Sequence, residues 1–263
     1  MDTWKDIWAN RSVRTEELES GAPERVFMEL KRLTGNDTLG GEGVPYRAFV
    51  KWFDAVYQEL TFPQSPDDGP WSFFEVGCGS GALLYLLAQR GPYLVGGLDY
   101  SKALVDTAVK ILNGLSDAHH EGSGERGGCT CRKAQVRELY CAEAIALDTA
   151  LKYDAVFSFS AFEYFRDYEY ATEVLERMTK KSNHTVAILD VHDLWLRDKW
   201  LAHRRALIPN YDERYRNLDK LFYDKDFFLR FADHHGLDIK FTSCRIEGYW
   251  NAPFTYDVYF YRR

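Results

Sequence analysis

The sequence predicts an open α/β fold on a mostly parallel sheet, and three observations carry that expectation. An apolar run, Trp71-Ser72-Phe73-Phe74, leads directly into Glu75-Val76-Gly77-Cys78-Gly79-Ser80-Gly81 and then into a helical stretch over 82–90. A second apolar run, residues 93–98, ends in Asp99 after that single helix. Farther on, the buried-type strand over 153–158 again passes into a helical stretch, the order that βαβ units require.

Taken from the N-terminus, residues 1–60 read as helical. Trp4, Ile7 and Trp8 share one face, Val26, Met28, Leu30 and Leu33 mark a second segment, and Phe49, Trp52, Phe53, Val56 and Leu60 recur at helical spacing. The proline, aspartate and glycine content of 61–70 marks a boundary, so a helical cap is expected over 1–60 and the main domain over 61–263. After Asp99, a helix through Ala103, Val105, Ala108, Val109 and Leu112 gives way to a polar, glycine-rich loop over 113–132. Its His119-His120 and Cys129-x-Cys131 carry zinc donors at spacings unlike the usual structural sites, and no metal is expected.

Strands are expected at 136–141, 153–158 and 186–189. An insertion over about 194–222, dense in Trp195, Trp200, Arg204, Tyr211 and Tyr215, follows the last of them. A helix over 226–235 buries Phe227, Phe228 and Phe231, and alternating strands near 239–246 and 255–261 close the sheet as an antiparallel hairpin.

Only glycine lets a main chain leave a strand so close to a nucleotide-like ligand, and the following helix would aim its first N–H groups at it. Gly77, Gly79 and Ala82 also satisfy the dinucleotide pattern, so the turn by itself leaves a nicotinamide cofactor open. Glu75, the extra Gly81, and Asp99 followed by Tyr100-Ser101 together resemble the class I S-adenosylmethionine (SAM)-dependent methyltransferase family. The resemblance covers residues 45–261. It implies a Rossmann-like, seven-stranded, mostly parallel sheet with an antiparallel C-terminal edge, helices on both faces, an N-terminal helical cap and a lid after strand five. It implies SAM as cofactor, held around Glu75, Gly77, Cys78, Gly79, Gly81, Asp99, Tyr100 and Ser101. Asp99 would accept hydrogen bonds from both ribose hydroxyls. Glu143, between Ala142 and Ala144, would meet the adenine amino group, although a solvated carboxylate at a helix start is the plainer alternative. Ser158 lies toward the end of strand four, which faces the methyl group and the acceptor in that family.

Composition narrows the partners. With 46% hydrophobic and 16% aromatic residues, the chain can bury one substantial core. A net charge of −7, from 33 basic and 40 acidic residues, gives no broad footprint for nucleic acid and points to a small-molecule acceptor. No apolar stretch nears the roughly 20 residues that span a bilayer. The N-terminus lacks a secretory pattern, so no membrane partner and a cytoplasmic location are expected. Cys78, Cys129, Cys131, Cys141 and Cys244 are an odd, scattered set, read as reduced thiols.

Methyl transfer from a sulfonium is an in-line displacement in which the protein supplies position and a dry pocket. An oxygen or protonated nitrogen acceptor also needs a base. His192, after strand five at the ligand-binding end of such sheets, is the expected base, with Asp193 orienting it. With Asp190, these residues equally fit a hydrogen-bonded strand end or helix cap. Tyr164 is expected to hydrogen-bond the acceptor or to pack in the core. Acceptor contacts are expected from Trp4, Trp8, Arg11, Glu163, Arg204, Tyr211 and Tyr215. Arg11, Arg14, Arg47, Arg204 and Arg205 would suit a carboxylate- or phosphate-bearing molecule. The expected activity is methyl transfer to oxygen or nitrogen of a small metabolite. Methylation of protein or RNA, or a non-catalytic SAM-binding regulatory role, are the alternatives, and an enclosed acceptor chamber would discriminate among them.

Overall fold

The computed structural model describes residues 13–35, 43–62, 69–117 and 134–263. Trp4, Trp8, Arg11, the paired histidines and Cys129-x-Cys131 therefore lie outside the described residues.

Among the described residues, three helices precede the sheet: α1 (Thr15–Leu18), α2 (Pro23–Leu33) and α3 (Tyr46–Leu60). Pro23 opens α2 where a missing N–H is no loss, and Val26, Phe27, Leu30 and Leu33 form its buried stripe. On α3 the predicted set Phe49, Trp52, Phe53, Val56 and Leu60 is buried in full. The main domain then runs β1 (Ser72–Val76), α4 (Ala82–Ala88), β2 (Leu94–Asp99), α5 (Lys102–Asp117), β3 (Gln135–Cys141), β4 (Tyr153–Phe159), α6 (Tyr168–Lys181) and β5 (Ser182–His192). After β5 come α7 (Arg197–Leu207), α8 (Tyr211–Arg214), α9 (Lys225–His235), β6 (Leu237–Ser243) and β7 (Thr255–Arg262).

The seven strands lie in the order β3-β2-β1-β4-β5-β7-β6. Parallel pairing joins β3 through β5, and β7 runs antiparallel to both neighbours. The expected C-terminal hairpin is present, with β7 inserted between β5 and the outermost β6. Successive β1 side chains serve opposite faces. Phe73 packs into the core beneath α2, α3 and α4, whereas Phe74 packs with α6 and α9 on the other side. Every β1 residue is buried, as a central parallel strand covered by helices demands. Strand order reverses between β1 and β4, which opens a crevice at their carboxyl ends.

One irregularity shapes that end. Ile188 pairs with Val258 and Val191 with Tyr256, so Leu189 and Asp190 together oppose Asp257 alone. This β-bulge places Asp190 at φ 61°, and the carboxylate of Asp257 accepts the freed Asp190 N–H at 2.9 Å. No helix among the described residues is long and apolar enough to cross a membrane.

Candidate functional site

The carboxyl ends of β1, β2 and β3 carry the first group of predicted residues. Gly77, Gly79 and Gly81 all have positive φ. A Cβ on Gly77 would lie 2.8 Å from the Ala161 Cβ, and one on Gly79 would lie 2.6 Å from Thr34 Cγ2. The N–H groups of Gly77 and Cys78 both donate to the Leu98 carbonyl at 2.9 Å, which ties the turn to β2. Cys78 is buried against Gly97, and burial pushes its thiol well up, consistent with a packing residue of the turn.

Asp99 accepts from the N–H of Gly79 at 3.0 Å and of Ser101 at 2.8 Å, one on each carboxylate oxygen. Burial pushes its carboxyl up against those two donors, which lower it. Ser101 sits where α5 begins, with a buried hydroxyl that has no partner. Ala142 N–H donates to the Asp99 carbonyl at 3.0 Å, placing Glu143 and Ala144 beside that strand end. Glu143 is exposed and near enough to raise Asp99, and the Tyr170 hydroxyl approaches its Oε2 at 3.5 Å. Cys141 Sγ–H donates to the Tyr100 carbonyl at 3.2 Å.

Sequence reasoning overlooked Lys31. It interrupts the apolar stripe of α2 one helical turn after Phe27, and a charge on a buried face was the signal available. Its ammonium lies 4.6 Å from the Phe159 ring and 5.1 Å from Phe49. Burial lowers its pKa to about 8, opposed by Glu75, Asp190 and Glu163. Glu75 is raised well above the carboxylate range by burial, and its Oε2 is buried with no hydrogen-bond partner. Lys31 and Glu75 thus feel each other's charge without pairing.

A second group gathers at the ends of β4 and β5. Ser160 (φ 49°) and Asp190 adjoin in αL geometry, and the Ser160 hydroxyl donates to Asp190 Oδ2. Two non-glycine residues in that region, side by side, mark stored strain of the kind found at functional sites. Tyr249 also donates to Asp190 Oδ2, at 2.7 Å, and Asn251 Nδ2 lies 3.2 Å from Oδ1. Glu163 is 3% exposed, and Lys220 Nζ lies 3.4 Å from its carboxylate and 3.3 Å from the Tyr164 hydroxyl. Burial raises Glu163 to about 7 despite the Lys220 charge. Ser158, deep in β4, has a buried hydroxyl with no partner.

His192 does not have the geometry of the expected base. Trp200 Nε1–H, which can only donate, bonds Asn251 Oδ1 at 2.8 Å and so fixes the amide with Nδ2 toward His192. His192 Nε2, 3.0 Å away, must therefore accept, which leaves the proton on a buried Nδ1 that has no partner. Burial, and then the charges of Lys220 and Arg204, hold its pKa well below the ordinary value. Neither nitrogen offers a free lone pair. Asp193 does not orient the ring either; its Oδ1 accepts from Trp195 N–H and caps the next turn. Arg204, Tyr211 and Tyr215 come together on the insertion, with Arg204 buried and the two tyrosine rings 4.9 Å apart.

Residues 74–187 match the family model described as a methyltransferase domain. That stretch is a methyltransferase domain, and the fold around it is the one that SAM-dependent methyltransferases share. Peramine synthetase ppzA of Metarhizium majus (strain ARSEF 297) is 28% identical over 187 residues, 66% of this chain, and the match spans 6% of that longer protein. Among solved structures, magnesium protoporphyrin IX methyltransferase (ChlM) from Synechocystis PCC 6803 with bound SAM is 14% identical. It aligns with a TM-score of 0.56 over 98% of this chain and 97% of that one. The plantazolicin methyltransferase BpumL, in complex with a triazolic desmethylPZN analog and S-adenosylhomocysteine (SAH), is 15% identical, with a TM-score of 0.58 over 100% of both chains. At such identities the likeness is one of fold. The side chains of the methyltransferase domain fit the cofactor on their own terms. The turn is a cradle that added Cβ atoms would fill, Asp99 is pinned by two N–H groups with lone pairs to spare, and Glu75 carries an orphaned buried oxygen.

Proposed function

We propose that this methyltransferase domain transfers a methyl group to oxygen or nitrogen of a small-molecule acceptor. The acceptor would be held between the ends of β4 and β5 and the insertion over 194–222. The observation that carries this reading is the burial of the charged groups there: Glu163, Asp190 and Arg204 are 3%, 1% and 5% exposed, among aromatic side chains. Buried, convergent polar groups with apolar walls suit a small enclosed ligand rather than an extended polymer.

SAM, when bound, supplies an activated methyl group. Asp99 is assigned to the ribose hydroxyls and Glu143 to the adenine edge. Glu75 and Lys31, opposite charges that do not pair, are assigned to the ammonium and carboxylate of the cofactor's amino-acid end. Glu163 replaces His192 as the group that receives the acceptor's proton, because its pKa of about 7 leaves it a substantial base at neutral pH. Lys220 beside it stabilises the ionised form. Asp190, fully engaged with Ser160, Tyr249 and Asn251, shapes the chamber floor.

Calorimetric titration with SAM and SAH tests the cofactor assignment. Asp99→Ala should weaken both about 30-fold or more, the effect of losing hydrogen bonds to a charged group at about 1.5–3 kcal/mol each. Glu163→Gln should bind SAH as wild type does yet lose methyl release across an acceptor screen. Folded wild type that binds neither ligand would overturn the cofactor assignment, and a fully active Glu163→Gln would remove Glu163 from the mechanism.

A further inference from the structure

Arg204 is a buried cation walled by aromatic rings, with no counter-charge bonded to it among the described residues. Its guanidinium carbon lies 4.8 Å from the Trp250 ring, 5.3 Å from Tyr215, 5.4 Å from Tyr211 and 5.5 Å from Trp200. Aromatic faces satisfy the face of a guanidinium, whereas its five N–H donors point outward in its plane and need acceptors. The Tyr211 hydroxyl approaches it, but no carboxylate among the described residues forms an ion pair with it, and its Nε is buried with no acceptor. Two other arginines show the usual pairing with a carboxylate. Arg32 grips Glu29 with two bonds of 2.7 Å, and Arg205, the next residue and exposed, holds Asp212 at 3.0 Å. A second cation, the partly buried Lys220, lies within the field of Arg204, so two like charges share one region largely withdrawn from water. A buried charge without a partner is strongly unfavourable, and an anion arriving from outside resolves it.

The position is suited to the acceptor. Trp200, which packs against Arg204, bonds Asn251, and Asn251 bonds the Asp190 carboxylate at the end of β5. We propose that Arg204 binds an anionic oxygen group, a carboxylate or phosphate, on a flat acceptor whose ring lies among Trp200, Tyr211, Tyr215 and Trp250. The proposal rests on the reading of this chamber as the acceptor site and adds the chemical class of the acceptor. The anion also offsets the mutual repulsion of Arg204 and Lys220, so a neutral analogue of the same shape is rejected.

The test uses the full chain saturated with SAH. 4-Hydroxybenzoate, phenyl phosphate and the neutral 4-hydroxybenzamide are titrated in turn and followed by ligand-observed NMR. Wild type is expected to bind at least one anion 10-fold or more tighter than the amide. Arg204→Met should lose that preference with SAH affinity unchanged, and Arg204→Lys, which keeps charge but not the planar fork, should retain part of it. If Arg204→Met no longer binds SAH, Arg204→Gln carries the same expectation. Equal affinity for anion and amide, no binding of either anion, or a preference that survives removal of the guanidinium overturns the proposal. Wild type that fails to bind SAH overturns the underlying methyltransferase reading, and this one with it.

Discussion

Asp257 shows how one residue can set both the shape of the site and its cost. The bulge in β5 frees the Asp190 N–H, and Asp257 accepts it from inside the sheet, where burial raises the Asp257 pKa from 3.8 to about 7. An acid with a higher pKa folded than unfolded binds more protons in the folded state. The stability this gives is fully present below about pH 4 and is lost as pH rises to about 7. Asp257 alone should therefore reduce stability by about 2–3 kcal/mol between pH 5 and pH 8. In Asp257→Asn, where the amide oxygen still accepts the Asp190 N–H, urea unfolding should show that much less pH dependence; an unchanged pH slope would refute the assignment. The sequence revealed some site residues and hid others for the same kind of reason. Gly77, Gly79 and Asp99 serve a turn closed by neighbours in the chain, so spacing exposed them. Asn251 and Lys220 reach Asp190 and Glu163 from 61 and 57 residues away, and no local pattern foretells such partners. His192 sits where the sequence expects it, but its chemistry is decided by an amide that Trp200 orients.

Among the elements, α2 has a role that its amphipathic pattern alone does not announce. Its carboxyl end rests on the glycine turn: Ser80 Oγ–H donates to the Leu30 carbonyl at 2.7 Å, and Thr34 lies over Gly79. The helix itself was legible from Val26, Leu30 and Leu33, yet its contact with a turn some fifty residues later was not. This contact makes Gly79 doubly constrained. Gly79→Ala meets both Thr34 Cγ2 and a φ of +51° that disfavours a side chain, together about 2–3 kcal/mol of destabilisation. Thr34→Ser removes the clashing methyl while keeping the hydroxyl, so the double variant should recover the steric part and retain about 1–2 kcal/mol from the backbone. Chemical denaturation of the two single variants and the double variant measures the split. Full recovery in the double variant would mean that the backbone strain is absent.

At the level of the whole molecule, the cofactor half and the acceptor half are built differently. Glycines and carboxylates fixed by sheet backbone make the first, which is why the α/β order and the strand ends could be read directly from the chain. The second depends on α7 and α8, whose polar and aromatic residues have no period that separates a solvated helix pair from a chamber wall. Within the second half, Trp200 joins the insertion to the sheet: it is buried, and its indole N–H donates to Asn251, which in turn reaches Asp190 and His192. Trp200→Phe removes the donor together with one of the two fused rings, leaving Asn251 Oδ1 buried without a partner at about 1–3 kcal/mol and a small cavity beside it. If this bond latches the insertion to the sheet, amide hydrogen exchange should accelerate across 197–214 while β1, β2 and β4 keep their protection. SAH affinity should stay unchanged, because the glycine turn and Asp99 lie on the other side of the latch. Uniformly faster exchange, or a parallel loss of SAH binding, would instead make Trp200 a support of the global core, and the acceptor wall would not be a separately opening unit.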